Sequence, residues 1–158
     1  MTFSVSRRIA APAEDAWALL TDTGKWPSWG PSITGVEPAA AASPAGPTTG
    51  AEPATGTGPV VRPAAGPAPA TGTAPSVFGL GSQGKVRTVL GASLPYTVTA
   101  FEPGRYWSWS VAGVPATGHR VVPQPGGCLV TFTVPWWAPA YLPVCALALR
   151  RIERLAAR

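Results

Sequence analysis

The sequence predicts an α+β fold in which an antiparallel sheet packs against one long helix at the C-terminal end. In the second half of the chain, five short runs of alternating apolar and polar residues recur about every 10–12 residues. Stretches rich in Gly and Pro, which are typical of turns, separate these runs. The chain then ends in a segment whose apolar residues recur at i+3 and i+4, the spacing of an amphipathic helix.

The N-terminal part predicts a strand, short helical segments and a second strand. Apolar residues alternate with polar ones over the first ten residues, which is typical of an opening strand. Pro12 suits a first helical turn, and the acidic residues after it favour the positive end of a helix over Ala13–Thr21. A tight aromatic turn is expected at Lys25–Pro31, followed by a strand at Ser32–Glu37.

A sharp change in composition follows. Of the 39 residues in 38–76, 33 are Ala, Pro, Gly or Thr, and none is aromatic. Such a segment cannot bury enough apolar surface to offset the entropy of ordering it. We therefore predict a disordered insertion at 38–76 within a single domain that consists of residues 1–37 and 77–158.

The five alternating runs predict a β-meander with one apolar and one polar face. In the third run, for example, Trp107, Trp109 and Val111 alternate with Tyr106 and two serines. The predicted strands are Lys85–Leu90, Tyr96–Phe101, Tyr106–Ala112, Thr117–Val122 and Cys128–Val134.

The last predicted element is a helix that begins near Pro139 or Tyr141 and ends at Ala157. Its apolar stripe includes Cys145 and Ile152, and we expect this stripe to lie on the apolar face of the sheet. Arginines cover the opposite side, where they are typical of a solvated helix face. These arginines are Arg150, Arg151, Arg154 and Arg158.

Composition and charge exclude several classes of protein. The net charge is +5, but only 12% of the residues are charged and the basic residues are scattered, so we expect no nucleic-acid partner. One histidine and two cysteines exclude a multi-histidine metal site, a four-thiolate zinc site and a disulfide scaffold. We expect no metal and no cofactor.

The N-terminus lacks the apolar core of a signal peptide, and the longest apolar stretch is interrupted by prolines, so we expect a cytoplasmic protein.

Three motifs resemble one known superfamily. The first runs from Val5 to Ile33 (VSRRIAAPAEDAWALLTDTGKWPSWGPSI), the second is VTAFEPGRYWSWSVAG at 98–113, and the third is GHRVVPQPGGCLVTFTV at 118–134. In this order and spacing they resemble the SRPBCC superfamily, which includes the START, birch-pollen-allergen and polyketide-cyclase/dehydrase groups. The resemblance covers nearly everything outside the predicted insertion.

This resemblance implies a helix-grip fold, in which a curved seven-stranded antiparallel sheet wraps around the long C-terminal helix, with two short N-terminal helices. It also implies a deep, mostly apolar cavity between the sheet and the helix. We expect this cavity to be lined by residues of the inner sheet face and of the helix stripe. These are Tyr96, Val98, Trp107, Trp109, His119, Val130, Phe132, Cys145 and Leu149.

Three residues are candidates for catalysis. His119, the only histidine, is a possible general acid or base, although a structural role is favoured. Tyr96 shares the inferred inner face and carries a hydroxyl, but core filling is favoured. Arg87 would polarise a ligand carbonyl if it pointed inward, whereas the alternation of its strand favours an outward position.

The leading functional hypothesis is the binding or transport of a hydrophobic small molecule, such as a lipid, an isoprenoid or a polyketide-like compound. One alternative is a polyketide cyclase/dehydrase that uses the same cavity. Another is a membrane-associated lipid or quinone chaperone, in which Trp136 and Trp137 touch the membrane, although burial of these residues is favoured. The sequence leaves the identity of the ligand, catalytic turnover and the oligomeric state open.

Overall fold

The computed structural model describes residues 1–39 and 78–158, which form a seven-stranded antiparallel sheet with helices on its concave side. The strand order is β1-β7-β6-β5-β4-β3-β2. The predicted helix-grip fold is confirmed. The strands are β1 (Thr2–Ile9), β2 (Ile33–Pro38), β3 (Gln83–Thr88), β4 (Ser93–Glu102), β5 (Tyr106–Val111), β6 (Val114–Gln124) and β7 (Gly127–Pro135). The helices are α1 (Ala13–Thr21), α2 (Trp26–Trp29) and α3 (Leu142–Ala156), with 3₁₀ turns at Thr23–Lys25 and Pro139–Tyr141.

The predicted insertion at 38–76 lies outside the described residues, apart from its first two positions. Pro38 ends β2 and pairs with Gly84, and the backbone N–H of Ala39 donates to the carbonyl of Gln83 over 2.8 Å. The second strand therefore continues one residue beyond the predicted boundary.

Register shifts bend the centre of the sheet. Between β5 and β6, Ser108 pairs with Gly118 and Ser110 pairs with Pro115, so two residues of β6 lie opposite Trp109. The pairing of β4 with β5 shifts at the same place, which leaves Thr99 as an extra residue. An extra residue of this kind bends and twists its strand. Trp109 thus lies where the sheet curves over the helices.

The turn between α1 and β2 carries two tryptophans into the interior. The Asp22 carboxylate accepts a hydrogen bond from the Gly24 backbone N–H over 3.0 Å and caps the short 3₁₀ turn. The indole N–H of Trp26 then donates to the carbonyl of Leu20 over 2.9 Å, and that of Trp29 donates to the carbonyl of Leu19 over 2.8 Å. These bonds use carbonyls that the end of α1 leaves free, and they fix both rings over the sheet.

An aromatic cluster fills one end of the interior. Trp26 is fully buried and stacks on Trp107, with ring centroids 5.4 Å apart and planes 6° apart. Trp109 meets Trp26 edge-on at 5.1 Å, and the ring of Tyr96 lies 5.5 Å away. Offset stacks and edge-to-face contacts are the preferred geometries of aromatic pairs.

Helix α3 packs against β1 and the two N-terminal helices. Pro143 lies in its first turn, where the missing N–H costs no hydrogen bond. On the outer side of this contact, the Arg7 guanidinium pairs with the Glu153 carboxylate at 2.5 Å. The buried stripe of α3 consists of Cys145, Ala148, Leu149 and Ile152.

Gly84 supplies a stability prediction because two strands leave no room for a side chain there. A Cβ at this position would lie 2.5 Å from the carbonyl oxygen of Glu37 and 2.8 Å from the Tyr96 ring. We expect Gly84→Ala to lower the free energy of unfolding by about 1–3 kcal/mol, as overpacking does. Equilibrium unfolding in urea measures the change.

Gly79→Ala is the matched control, because nothing lies within 4 Å of its Cβ position. Equal stability of the two variants would contradict the prediction.

Candidate functional site

A pocket of about 460 Å³ opens beside Trp109, at the margin of the aromatic cluster. It lies between the β3–β4 and β5–β6 hairpins, the start of β2 and the segment that joins β7 to α3. The side chains that line it are apolar or uncharged. They are Ser32, Ile33, Val86, Thr88, Val89, Leu90, Ala92, Leu94, Trp109, Val111, Val114, Pro115, Ala116, Thr117, Val134, Pro135, Trp137, Ala138 and Tyr141.

The mouth of this pocket has an exposed apolar rim. The rim consists of Val89, Leu90, Val114, Trp137 and Tyr141, which are all at least 37% exposed, and Leu90 is 92% exposed. Folded proteins rarely leave so many neighbouring large apolar groups in water without a function. The rim therefore marks this end of the molecule as a candidate binding surface.

A second, smaller space of about 30 Å³, called the extension below, lies next to the pocket beneath α3. Both spaces are lined by Trp109 and Thr117, and by Ser32 and Tyr141. The hydroxyls of Ser32 and Tyr141 lie 2.5 Å apart and hydrogen-bond to each other. Burial raises the pKa of Tyr141, so its hydroxyl stays protonated at neutral pH.

A buried polar chain lies behind the pocket. Thr117 is 8% exposed, and its hydroxyl accepts a hydrogen bond from the Trp109 indole N–H over 3.0 Å. The same oxygen lies 3.1 Å from Nε2 of His119. The other ring nitrogen of His119, Nδ1, is buried without a hydrogen-bond partner among the described residues. Burial lowers the pKa of His119 to about 3, because a charged imidazolium would lose its hydration there. The ring is therefore neutral.

The nine residues expected to line the cavity lie in different places in the structure. Of the nine residues expected there, Trp109 lines the main pocket, and Phe132 and Cys145 line its extension. The other six are buried in the core, where the Trp26 ring packs against two of them, Tyr96 and Trp107. These six are Tyr96, Val98, Trp107, His119, Val130 and Leu149.

None of the three catalytic candidates lines the pocket. Arg87 lies on the outer face of β3, where its guanidinium contacts the Glu37 carboxylate at 3.2 Å. Tyr96 is buried against Trp26, and His119 lies behind Thr117. The outward position of Arg87 agrees with the alternation of its strand.

The expected burial of the Trp136–Trp137 pair is wrong. Trp136 is 65% exposed and Trp137 is 52% exposed, because the turn between β7 and α3 projects both rings away from the core. Trp137 contributes to the rim. Within residues 1–39 and 78–158, no helix is long and apolar enough to span a membrane.

Sequence patterns named Trp137 as a possible membrane contact but did not point to Thr117 or to the rim residues Val89, Leu90 and Val114. A signal for these rim residues is the presence of large apolar residues in or next to a turn, since Val89 and Leu90 lie in the β3–β4 turn and Val114 is the first residue of β6. No local signal identifies Thr117, because its contact with the Trp109 indole depends on the register shift between β5 and β6.

Comparisons with known proteins agree with this architecture. The family model for polyketide cyclase / dehydrase and lipid transport matches residues 1–157. No curated protein sequence matches the chain.

Three solved structures illustrate the shared fold. Protein MLL2253 from Mesorhizobium loti is 16% identical with a TM-score of 0.62, and the alignment covers 100% of this chain and 98% of that one. Protein XoxI from Bacillus cereus is 12% identical with a TM-score of 0.60, over 99% and 95% of the two chains. The Aha1 dimer from Colwellia psychrerythraea is 14% identical with a TM-score of 0.58, over 99% and 96%. These likenesses establish the fold alone.

His119 supplies a prediction about acid stability. Its pKa of about 3 in the folded chain lies below its ordinary value of 6.5, so the unfolded chain binds the proton more readily. This contribution to stability is fully present above pH 6.5 and is lost as the pH falls towards 3. We expect His119→Phe to reduce the pH dependence of the unfolding free energy in this window by up to about 1.4 kcal/mol per pH unit.

Urea unfolding at several pH values between 4 and 7 measures this slope. Val121→Ala is the control, because Val121 is a buried neighbour on β6 that does not titrate. The control should lose stability and keep the slope of the unchanged protein. A His119→Phe variant that also keeps that slope would contradict the prediction.

Proposed function

Since the chain belongs to the polyketide cyclase/dehydrase and lipid transport family, we propose that it binds a hydrophobic small molecule in the pocket beside Trp109. The ligand class is a lipid, an isoprenoid or a polyketide-like compound. The observation that carries this proposal is a cavity of about 460 Å³ lined almost entirely by apolar side chains. That volume lies within the range typical of small-molecule sites.

The energetics of burial support such a ligand. Apolar surface removed from water contributes roughly 25 cal/mol per Å², so a guest that buries about 300 Å² gains roughly 7 kcal/mol. Immobilising the guest takes back part of this gain. A pre-formed pocket reduces that loss, and the rigid Trp109 wall is fixed by its hydrogen bond to Thr117.

The chemistry of the lining favours binding or transport over a cyclase reaction. Proton transfer to or from an enol requires a group whose pKa lies near the working pH. Among the lining residues, Tyr141 is the only group with a titratable oxygen, and burial raises its pKa further. His119 is neutral and lies behind Thr117. The lining thus supplies apolar contact area but no group suited to proton transfer near neutral pH.

A side chain that fills the pocket tests the proposal. Ala116 is half-buried and lines the pocket. We expect Ala116→Phe to weaken binding of an uncharged fluorescent hydrophobe, N-phenyl-1-naphthylamine, by about tenfold or more, a loss of about 1.4 kcal/mol or more. Probe fluorescence measured during titration gives the dissociation constant.

The matched control is Ala157→Phe, which adds the same ring at an exposed position after α3. It should bind the probe as the unchanged protein does. The proposal fails if the unchanged protein does not bind the probe, or if Ala116→Phe binds it equally well. Native mass spectrometry of protein purified from its own host then identifies the hydrophobe that it carries.

The exposed rim supports a second candidate, a carrier that exchanges its ligand at a membrane surface. Tryptophan and tyrosine side chains favour the interface between lipid and water. Trp137 and Tyr141 lie at the mouth of the pocket, and Trp136 is exposed beside them. A hydrophobic ligand would then pass from the bilayer to the pocket without crossing water.

Vesicle flotation tests this candidate. We expect the unchanged protein to float with phosphatidylcholine vesicles, and the double variant Trp136→Ala/Trp137→Ala to lose most of that association, because each ring contributes apolar area at the interface. Leu147→Ala removes an exposed apolar side chain on α3 outside the pocket lining and serves as the control. No flotation of the unchanged protein would eliminate the candidate.

A further inference from the structure

We propose that the pocket selects uncharged ligands that carry a hydroxyl group, and that the Thr117 side chain is the specificity-determining contact. This inference rests on the proposed function, since it names the class of hydrophobic molecule that the pocket takes. It follows from the charge of the lining, the burial of its polar groups and the hydrogen bonds that these groups already make.

The lining excludes charged ligands. No Asp, Glu, Lys, Arg or His side chain is among the residues that line the pocket or its extension in the described part of the chain. An ionised carboxylate or ammonium would lose its hydration there and gain no opposite charge, which is a severe penalty. Although the chain carries a net charge of +5, none of its charged residues lines the pocket, so a charged ligand finds no ion-pairing partner there.

Among the polar residues of the lining, Thr117 is the most buried. Its residue is 8% exposed, whereas Tyr141 is 37% exposed and Ser32 is half-buried. The Ser32 and Tyr141 hydroxyls are hydrogen-bonded to each other at the mouth. The Thr88 hydroxyl donates to the carbonyl of Ala92 over 3.2 Å. A hydrogen bond to a buried group discriminates strongly because leaving that group unpaired is costly, whereas water solvates an exposed group when the ligand does not.

The neighbours of Thr117 leave its oxygen with one free bonding position. The Trp109 indole N–H occupies one lone pair. Between Thr117 and Nε2 of His119 there is one proton. If Thr117 donates it, a lone pair remains to accept a bond from the ligand; if His119 donates it, the threonine proton remains to be donated. A ligand hydroxyl satisfies both arrangements, because it donates and accepts.

His119 acts here as a positioning residue. Its ring stacks on Trp107 with centroids 4.0 Å apart and meets Phe132 edge-on at 4.6 Å. These contacts fix the ring, and the ring in turn fixes the rotation of the Thr117 hydroxyl. The ligand hydroxyl thus meets an oriented partner on the wall that the pocket shares with its extension.

Displacement of N-phenyl-1-naphthylamine by octan-1-ol, octane and octanoate at pH 8 tests the inference. Octanoate should bind at least roughly a hundredfold more weakly than octan-1-ol, because it is ionised at this pH. Thr117→Val should raise the ratio of the octan-1-ol to the octane dissociation constant by about five- to tenfold. Thr88→Val is the matched control and should leave this ratio unchanged, because Thr88 is less buried than Thr117 and water can bond its hydroxyl when the ligand does not.

Thr117→Ser keeps the hydroxyl and should keep the ratio, which separates the hydrogen bond from a general disturbance of the strand. His119→Phe should raise the ratio in the same direction as Thr117→Val, whereas a merely structural loss would weaken octane and octan-1-ol equally. The inference is overturned if Thr117→Val leaves the ratio unchanged, if Thr88→Val shifts it as far, or if octanoate binds as tightly as octan-1-ol. Failure of every eight-carbon probe and of N-phenyl-1-naphthylamine to bind the unchanged protein would instead contradict the proposed function.

Discussion

The interior of this protein depends on the placement of Trp26. Its indole N–H donates to the carbonyl of Leu20 at the end of α1, and its ring stacks on Trp107 of β5. The hydrogen bond ties Trp26 to the end of α1, and the ring packs this turn against the sheet. Aromatic packing thereby closes this part of the interior, and the pocket described above lies beside Trp109.

Trp109 connects the closed end with the open one. One side of its ring contacts Trp26 at 5.1 Å, and the ring also lines the pocket. The register shifts on both sides of this residue bend β4, β5 and β6 over the helices and bring Thr117 within hydrogen-bond distance of the indole. The same irregularity therefore supplies the curvature of the fold and the buried hydroxyl of the pocket.

The pocket combines a wall that carries a buried threonine with an apolar opening. Its deep side presents Thr117 with a neutral His119 behind it, while its mouth exposes large apolar side chains such as Leu90 and Trp137. A wall of this kind suits a guest that is mostly apolar and carries one uncharged polar group. The apolar rim suits contact with a membrane surface, from which such a guest could enter the pocket without passing through water. Both properties are consistent with a family described by lipid transport as well as by cyclase and dehydrase members.

The sequence by itself determined the elements and their order. Alternation located the five strands of the meander, the Pro12 and acidic signals located α1 at Ala13–Thr21, and the i+3/i+4 pattern located α3, because these periods follow from local backbone geometry. It also placed Arg87 outside, since alternation within one strand decides which side a residue faces. Only the tertiary structure decided that Trp26 stacks on Trp107, that His119 is buried in the core, and that the described pocket lies beside Trp109. That outcome depends on strand register and on the distance between rings that are remote in the chain, and neither quantity is encoded in local periodicity.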